Sequence, residues 1–325
     1  MNPNYSIIIP HRNIPILLKR CLSSIPVRDD VQVIVVDDKS DENFLPDLKE
    51  VERCFPNVTI IYSDTPGGAG QARNIGLDYA KGKWLLFADA DDFFTDILES
   101  ILVEYIEAEE DILYFRNLSV HSDNIEETSH RDDWLDNIFN LYFKERNDCL
   151  IRCNHVASWG KIIKRALIES NHIRFDEIPF SNDVSFSITS GCVAKHIRII
   201  DRPLYVLTER KGSLTSNFAN KPSELEIRAL VCFRAIDILR SIDDSYLPYF
   251  FYFQWTPSPA KYLCRLFHTD KARYSRLFLA SLDVYPSFWD ALKKIRIYEK
   301  DRIHKFWIYV YSICLLIKKP FQNAI

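Results

Sequence analysis

Lys83-Trp84-Leu85-Leu86-Phe87-Ala88-Asp89-Ala90-Asp91-Asp92 is the stretch on which the reading of this chain turns. Residues 83–88 read as a strand that is apolar beyond its first position. A strand without polar alternation is buried on both faces, as in a parallel sheet covered by helices. It ends in carboxylates, and Asp89 and Asp91 stand at i and i+2, so both can face one cleft just past the strand end. In open α/β sheets ligands bind outside the carboxyl ends of the strands. Carboxylate oxygens are hard donors and suit Mg²⁺ or Mn²⁺. Taken alone, the four residues also read as a solvated acidic turn with Asp92 or Thr95 as a helix cap.

The flanking sequence decides between the two. Upstream, residues 5–9 form an apolar run ended by Pro10, and Ile14, Leu17, Leu18, Cys21 and Leu22 follow at helical spacing. Residues 31–36 are rich in β-branched side chains and end in Asp37-Asp38; residues 58–62 are a further strand; residues 69–81 read as a helix stopped by Gly82. Downstream, Ile97, Leu98, Ile101, Leu102 and Tyr105 make a helical stripe, and residues 111–115 a strand. Strand–helix alternation predicts an α/β fold with a mostly parallel sheet and helices on both faces. Three strand ends then carry polar groups together: Pro10-His11-Arg12-Asn13, Asp37-Asp38 and Asp89-Ala90-Asp91-Asp92. That convergence favours the cleft. Further on, residues 132–144 and 183–193 read as helices, 197–201 and 204–208 as strands, and residues 224–242 as the clearest element of a mainly helical remainder.

The bulk properties exclude several classes. The 325 residues suffice for one large domain or two ordinary ones. With 47% hydrophobic and 26% charged residues the chain is neither disordered nor fibrous. A net charge of −4 argues against a general nucleic-acid binder, which carries a basic face. The eight cysteines include no C-x-x-C pair, so a zinc ribbon and a thioredoxin-like motif are unsupported. Several lie in apolar runs, where a thiol packs as a small hydrophobe, and a reducing compartment is expected. The first residues lack the basic and apolar pattern of a signal peptide. No run reaches the roughly 18 apolar residues of a membrane span. A cytoplasmic location is the expectation.

Two further segments and one residue carry chemistry. Asp37 and Asp38 read either as acceptors for base N–H groups and ribose hydroxyls or as an Asx-turn with Ser40 and Asp41. The segment 66–74 opens a helix with Gly67, Gly68 and Gly70. Its glycines admit a close ligand, its free N–H groups suit an anion, and Arg73 could pair with a diphosphate; a tight turn with Arg73 as a surface cation is the alternative. The glycine spacing is not G-x-G-x-x-G and no Lys-Ser/Thr follows, which counts against nicotinamide dehydrogenases and P-loop NTPases. Asp183, where a helix begins, is either a base for a hydroxyl group or an N-cap.

Taken together, Ser6-Ile7-Ile8-Ile9-Pro10, Val35-Val36-Asp37-Asp38-Lys39-Ser40, Gly70-Gln71-Ala72-Arg73-Asn74 and Phe87-Ala88-Asp89-Ala90-Asp91-Asp92 strongly resemble glycosyltransferase family two in motif, order and spacing, over residues 4–215. The resemblance implies a GT-A (Rossmann-like) fold and metal-dependent, inverting transfer of a sugar from a nucleotide-sugar, UDP-sugars favoured, to a glycan or lipid-linked hydroxyl in surface polysaccharide synthesis. Carried over by position, Pro10, Arg12, Asp37, Asp38, Gly68 and Arg73 would hold the nucleotide-sugar. Asp89 would touch ribose or metal, Asp91 would be the main ligand of Mg²⁺ or Mn²⁺, and Asp183 the catalytic base. Trp159 and Lys161 of Trp159-Gly160-Lys161 would line the acceptor side, with Arg210 at the head of a closing loop, residues 210–215. Three departures stand out: His11-Arg12-Asn13 for Thr-Tyr-Asn, Lys39 at a common glycine position, and Asn182-Asp183 for Glu-Asp. The last removes a carboxylate beside Asp183 and lessens any like-charge rise in its pKa.

The expected layout is a catalytic domain over residues 1–220, with a nucleotide-sugar half over 1–116 and an acceptor half over 117–220. A helical region over 221–325 follows. Its aromatic-rich segment 306–317, between Lys305 and Lys318-Lys319, suits a helix lying in a membrane interface, peripheral on the inner face, or a homo-oligomer contact. A nucleotidyltransferase is the alternative enzyme, but the glycine-rich loop and lysine of that class are missing after the first strand. An inactive glycan-binding or scaffold module is the non-enzymatic alternative, and the intact acidic motif and Asp183 argue against it.

Overall fold

The computed structural model describes residues 3–210, 221–250, 266 and 269–275. It divides into two compact units, residues 1–216 and 217–325.

In the first unit, strand β1 (Tyr5–His11) leads through helix α1 (Pro15–Ser23) to β2 (Val31–Asp37). Helix α2 (Leu45–Cys54) and β3 (Val58–Tyr62) follow, then α3 (Gly68–Tyr79) and β4 (Trp84–Phe87). Next come the two-residue β5 (Phe93–Phe94), α4 (Leu98–Glu104), β6 (Ile112–His121) and β7 (Asn124–Thr128). Helices α5 (Asp133–Glu145) and α6 (Cys149–Asn154) precede β8 (Lys161–Lys164) and α7 (Arg165–Ser170). Helix α8 (Val184–Val193) and β9 (Ile197–Glu209) complete the unit. The second unit is carried by α9 (Pro222–Ile242), which buries Leu225, Ala229, Cys232, Phe233, Ile236 and Leu239 at helical spacing.

The strands form one mixed sheet in the order β3-β2-β1-β4-β8-β6-β9-β5, with β7 beside β6. β3, β2, β1 and β4 run parallel, and β6 runs parallel to β9; β8, β5 and β7 pair antiparallel. The expected mostly parallel sheet, covered by helices and followed by a helical region, is what the chain adopts. β1 is buried at every residue, as are all four of β4. Each large apolar side chain among them, such as Ile7, Ile8, Ile9, Leu85, Leu86 and Phe87, contributes about 1.5–3 kcal/mol on leaving water.

β5, α6, β8 and α7 were not foreseen, and three further differences have a plain physical reason. α2 was not foreseen, because only Leu48 and Val51 of its ten residues are buried and the apolar stripe is too thin to register. β6 runs on to His121 and turns into β7, whose residues are all exposed. The two strands read at 197–201 and 204–208 are one strand, β9. A register shift opposite Arg116, where Arg116 faces Pro203, carries the strand across the polar residues 201–203.

Among the described residues no helix is long and apolar enough to cross a membrane. The expected interfacial segment 306–317 and residues 211–215 of the closing loop lie outside the described residues.

Candidate active site

The carboxyl ends of β1, β2 and β4 lie side by side, because β1 sits between the other two. The polar residues that follow each strand therefore meet at one sheet edge, with the loop from Ala88 to Asp92 at the centre.

That loop is held from below. The Tyr205 hydroxyl accepts the Asp89 backbone N–H at 2.7 Å and donates to Asp92 Oδ2 at 3.1 Å. Asp92 Oδ1 accepts the Thr208 backbone N–H at 2.7 Å. The Asp91 carbonyl accepts Thr208 Oγ1 at 2.6 Å and Arg20 Nη2 at 2.5 Å. β5 pairs with β9 through Phe94 and Tyr205, which brings both donors of β9 under the loop. Both oxygens of Asp92 are engaged and the residue is fully buried, whereas the side chains of Asp89 and Asp91 are 29% and 18% exposed. One carboxylate oxygen from each of Asp89, Asp91 and Asp92 lies within 4.8 Å of the others. Among the described residues no His or Cys joins this cluster, so its donors are hard oxygens, a set that fits Mg²⁺ or Mn²⁺. Burial, then repulsion from Asp89, raises the Asp91 carboxyl above its ordinary range; Arg210 Nη2, 3.3 Å from Asp91 Oδ2, and Arg131 act against this.

The residues after β1 and β2 are tied to each other. His11 is buried and its Nδ1 lies 2.8 Å from Asp37 Oδ1, while its Nε2 accepts the Ile14 N–H at 3.3 Å. Asp37 also accepts the Ser40 N–H and Ser40 Oγ. Burial alone would raise the Asp37 carboxyl; the hydrogen bonds from His11 and Ser40 outweigh it and hold the group below its usual value. Asp38 accepts the N–H groups of Gly67 and Gly68 at 2.7 and 3.0 Å and so anchors the turn before α3. Gly68 has φ +81°, which a residue with a side chain adopts only at a cost. Lys39 has φ +54°, which accounts for glycine as a common residue there. Pro10 is buried in β1, and Arg12 stands at the rim with a side chain 47% exposed, 3.9 Å from Asp38.

Arg73 is buried, 4% exposed, rather than a surface cation. Its Nη2 donates to Asp89 Oδ1 at 2.6 Å and its Nη1 to Asn182 Oδ1 at 2.8 Å, and the guanidinium lies over the Phe175 ring. Asp183 stands at the N-cap position of α8, as the helix-cap reading has it, but its side chain makes no capping hydrogen bond. Burial raises the Asp183 carboxyl, Asp89 adds to the rise, and Arg73 and Lys161 oppose it. Trp159 is 7% exposed and stacks on Tyr205 with ring centroids 5.5 Å apart. Lys161 is fully enclosed. Its Nζ donates to the His155 carbonyl at 2.7 Å, and burial lowers its pKa to about 7.

The structure therefore pairs Arg73 with Asp89 and Arg210 with Asp91, sets the two carboxylates within 4.8 Å of each other, and brings Asp183 under the influence of Arg73 and Asp89. Asp37 and Asp38 are engaged in fixing backbone, and Lys161 lies beneath the surface. Arg20, Tyr205 and Thr208, which shape the acidic loop, carried no signal in the sequence: each sits in an ordinary amphipathic or apolar run.

The chain is similar in sequence and fold to known proteins. Residues 6–170 match the family described as glycosyl transferase family 2. The uncharacterized glycosyltransferase EpsJ of Bacillus subtilis is 25% identical over 66% of this chain and 64% of its own length. The poly(ribitol-phosphate) β-N-acetylglucosaminyltransferase TarS of Staphylococcus aureus is 26% identical over 73% of this chain and 41% of its own. The chain thus spans less than two thirds of these relatives. Residues 1–349 of TarS, solved in complex with UDP-GlcNAc, superpose with a TM-score of 0.62 at 21% identity, over 89% of this chain and 83% of that one. A mannosyltransferase of Pyrobaculum calidifontis, solved with GDP-Man and Mn²⁺, gives 0.53 at 15% identity, over 99% and 88%. With its GT-A sheet and a family match over half its length, the chain belongs to glycosyl transferase family 2.

Proposed function

We propose that the protein is a metal-dependent, inverting glycosyltransferase that moves a sugar from a nucleotide-sugar, in first place a UDP-sugar, to a hydroxyl of a glycan or lipid-linked acceptor in surface polysaccharide synthesis. The observation that carries this reading is the pair of partly exposed carboxylates, Asp89 and Asp91, held rigid by Tyr205, Asp92, Thr208 and Arg20. Asp91 and Asp89 would hold Mg²⁺ or Mn²⁺, which when bound neutralises charge on the departing diphosphate. Arg12, half exposed and loosely paired with Asp38 and Asp41, and Arg210, beside Asp91, are the cations placed to meet the nucleotide phosphates as the donor enters. Asp183 takes the proton of the acceptor hydroxyl as that oxygen attacks the anomeric carbon from the face opposite the nucleotide. Its raised pKa keeps it a stronger base than an ordinary carboxylate.

The names of the relatives support the substrate class: TarS is crystallised with UDP-GlcNAc and acts on a poly(ribitol-phosphate). We assign catalysis to residues 1–220, on the cytoplasmic side, and a membrane-surface or oligomer contact to residues 221–325. The test is a panel of UDP-, GDP-, CMP- and dTDP-sugars incubated with the protein and Mn²⁺, with release of the free nucleotide as readout. Release of UDP that stops on chelation is expected. No release from any donor, with or without metal, removes the assignment.

A further inference from the structure

The face of α3 formed by Gly70, Arg73 and Asn74 packs against the segment that leads into Asp183, through Phe175, Asp176 and Asn182, and Arg73 also reaches Asp89. The three residues stand at i, i+3 and i+4, one above the other on the helix. Asn74 makes a two-way bridge to the backbone of that segment: its Oδ1 accepts the Phe175 N–H at 2.9 Å and its Nδ2 donates to the Phe175 carbonyl at 3.1 Å. Gly70 is where the segment comes closest. A Cβ added there would lie 2.1 Å from the Asp176 carbonyl oxygen and 3.1 Å from Asn182 Cβ. Arg73 lies over Phe175 and donates to Asn182 on one side and to Asp89 on the other. The segment is folded to receive these contacts, with the Asp176 N–H bonded to the Asn182 carbonyl at 3.0 Å and Ser185 Oγ to Asp176 Oδ2 at 2.6 Å.

We propose that Gly70, Arg73 and Asn74 are positioning residues that seat the Asp183 segment and couple it to Asp89, and that Arg73 acts through these two carboxylate positions rather than on the diphosphate. This inference rests on the glycosyltransferase reading of the site. The geometry explains each member of the motif. Glycine is needed for the close approach, an amide at position 74 for the two-way backbone bridge, and a forked guanidinium at position 73 to reach two partners at once. The neutral Asn182 matters as well. A carboxylate there would take the charge of Arg73, whereas the amide leaves that charge shared between Asp89 and Asp183, and Arg73 is the largest charge influence on Asp183.

The test uses the full-length protein with Arg73→Lys, Asn182→Ala and Gly70→Ala, measuring donor affinity by calorimetry with Mn²⁺ and turnover by nucleotide release. Misplacement of a reacting group by about 1 Å costs about 100-fold, so Gly70→Ala and Arg73→Lys are expected to lose about that in kcat. Asn182→Ala, which removes one hydrogen bond to a charged donor, should lose about tenfold. In Asn182→Ala and Gly70→Ala the donor Kd stays within about threefold, because the contacts removed lie on the Asp183 side, whereas Arg73→Lys, which also disturbs a bond to Asp89, loses at most about tenfold. A loss of donor affinity in Arg73→Lys well beyond about tenfold, or unchanged turnover in Asn182→Ala and Gly70→Ala, overturns the proposal. A substrate-free arm separates its failure from failure of the glycosyltransferase reading. Amide hydrogen exchange over residues 174–186 rises in each variant if α3 seats the segment, and stays at the wild-type rate if it does not, whatever the enzyme transfers.

Discussion

Replacing Tyr205 by Phe removes one oxygen from beneath the acidic loop and leaves the rest of the side chain in place. The ring remains stacked on Trp159 and edge-on to Phe94, with centroids 5.5 and 5.4 Å apart, so no cavity larger than a hydroxyl opens. Two hydrogen bonds are lost, the one from the Asp89 N–H and the one to Asp92. Each is worth about 1 kcal/mol net, and leaving a buried partner unsatisfied raises the cost to about 1–3 kcal/mol. The sum is about 2–4 kcal/mol. A domain of this size shifts by about 2–4 °C per kcal/mol, so the melting temperature of the full-length protein should fall by about 5–15 °C. Urea unfolding followed by circular dichroism should give the same free energy with an unchanged slope. Because Asp89 loses its anchor, Mn²⁺ affinity should weaken by about tenfold, the equivalent of one lost hydrogen bond. A melting temperature within about 2 °C of wild type together with undiminished Mn²⁺ affinity refutes the idea that β9 holds the metal loop through this hydroxyl.

Asp183→Asn should lower kcat by about 10²–10⁴ while donor affinity measured by calorimetry is retained; near-normal turnover removes Asp183 from the role of base. The base works deprotonated and its pKa is raised, so kcat/KM should fall as pH drops through a value above the ordinary carboxylate range near ~4, and a limb at or below that range contradicts the assignment. Lys161→Met reports on the buried ammonium. The folded-state pKa of about 7 is below the unfolded value, so the folded form resists protonation, and wild-type stability rises as pH climbs from about 7 toward the unfolded pKa. The stabilisation gained by Lys161→Met should therefore be greatest at pH 6 and vanish by pH 10 in urea titrations. Gly68→Ala forces a side chain into a left-handed backbone and should cost about 1–2 kcal/mol by the same method.

The parallel strands were legible because burial on both faces makes them continuous apolar runs, as in Ile7-Ile8-Ile9 and Leu85-Leu86-Phe87. The position of the site followed from strand ends alone. What the sequence could not carry was the division of labour within it. Asp37 and Asp38 look identical to Asp89 and Asp91 as carboxylates after strands, yet the first pair fixes backbone and the second pair is partly open. That difference is made by His11 and Gly67 reaching them across the fold, together with Ser40, the local turn partner of Asp37. Arg73 reads as an anion-binding residue at a helix start, and only the approach of Asn182 and Asp89, 109 and 16 residues away, turns its guanidinium inward. The length of β6 was missed because its second half buries polar side chains, Asn117 and Ser119, and exposes Leu118, the reverse of the usual pattern.

The most direct test of the divalent-cation site is calorimetric titration of UDP into the full-length protein with Mn²⁺, with a chelator, and with Mn²⁺ in Asp91→Asn. Binding with Mn²⁺ that is lost both on chelation and in Asp91→Asn is the predicted result. Equal UDP affinity under all three conditions contradicts a site in which Asp91 grips the metal that receives the diphosphate.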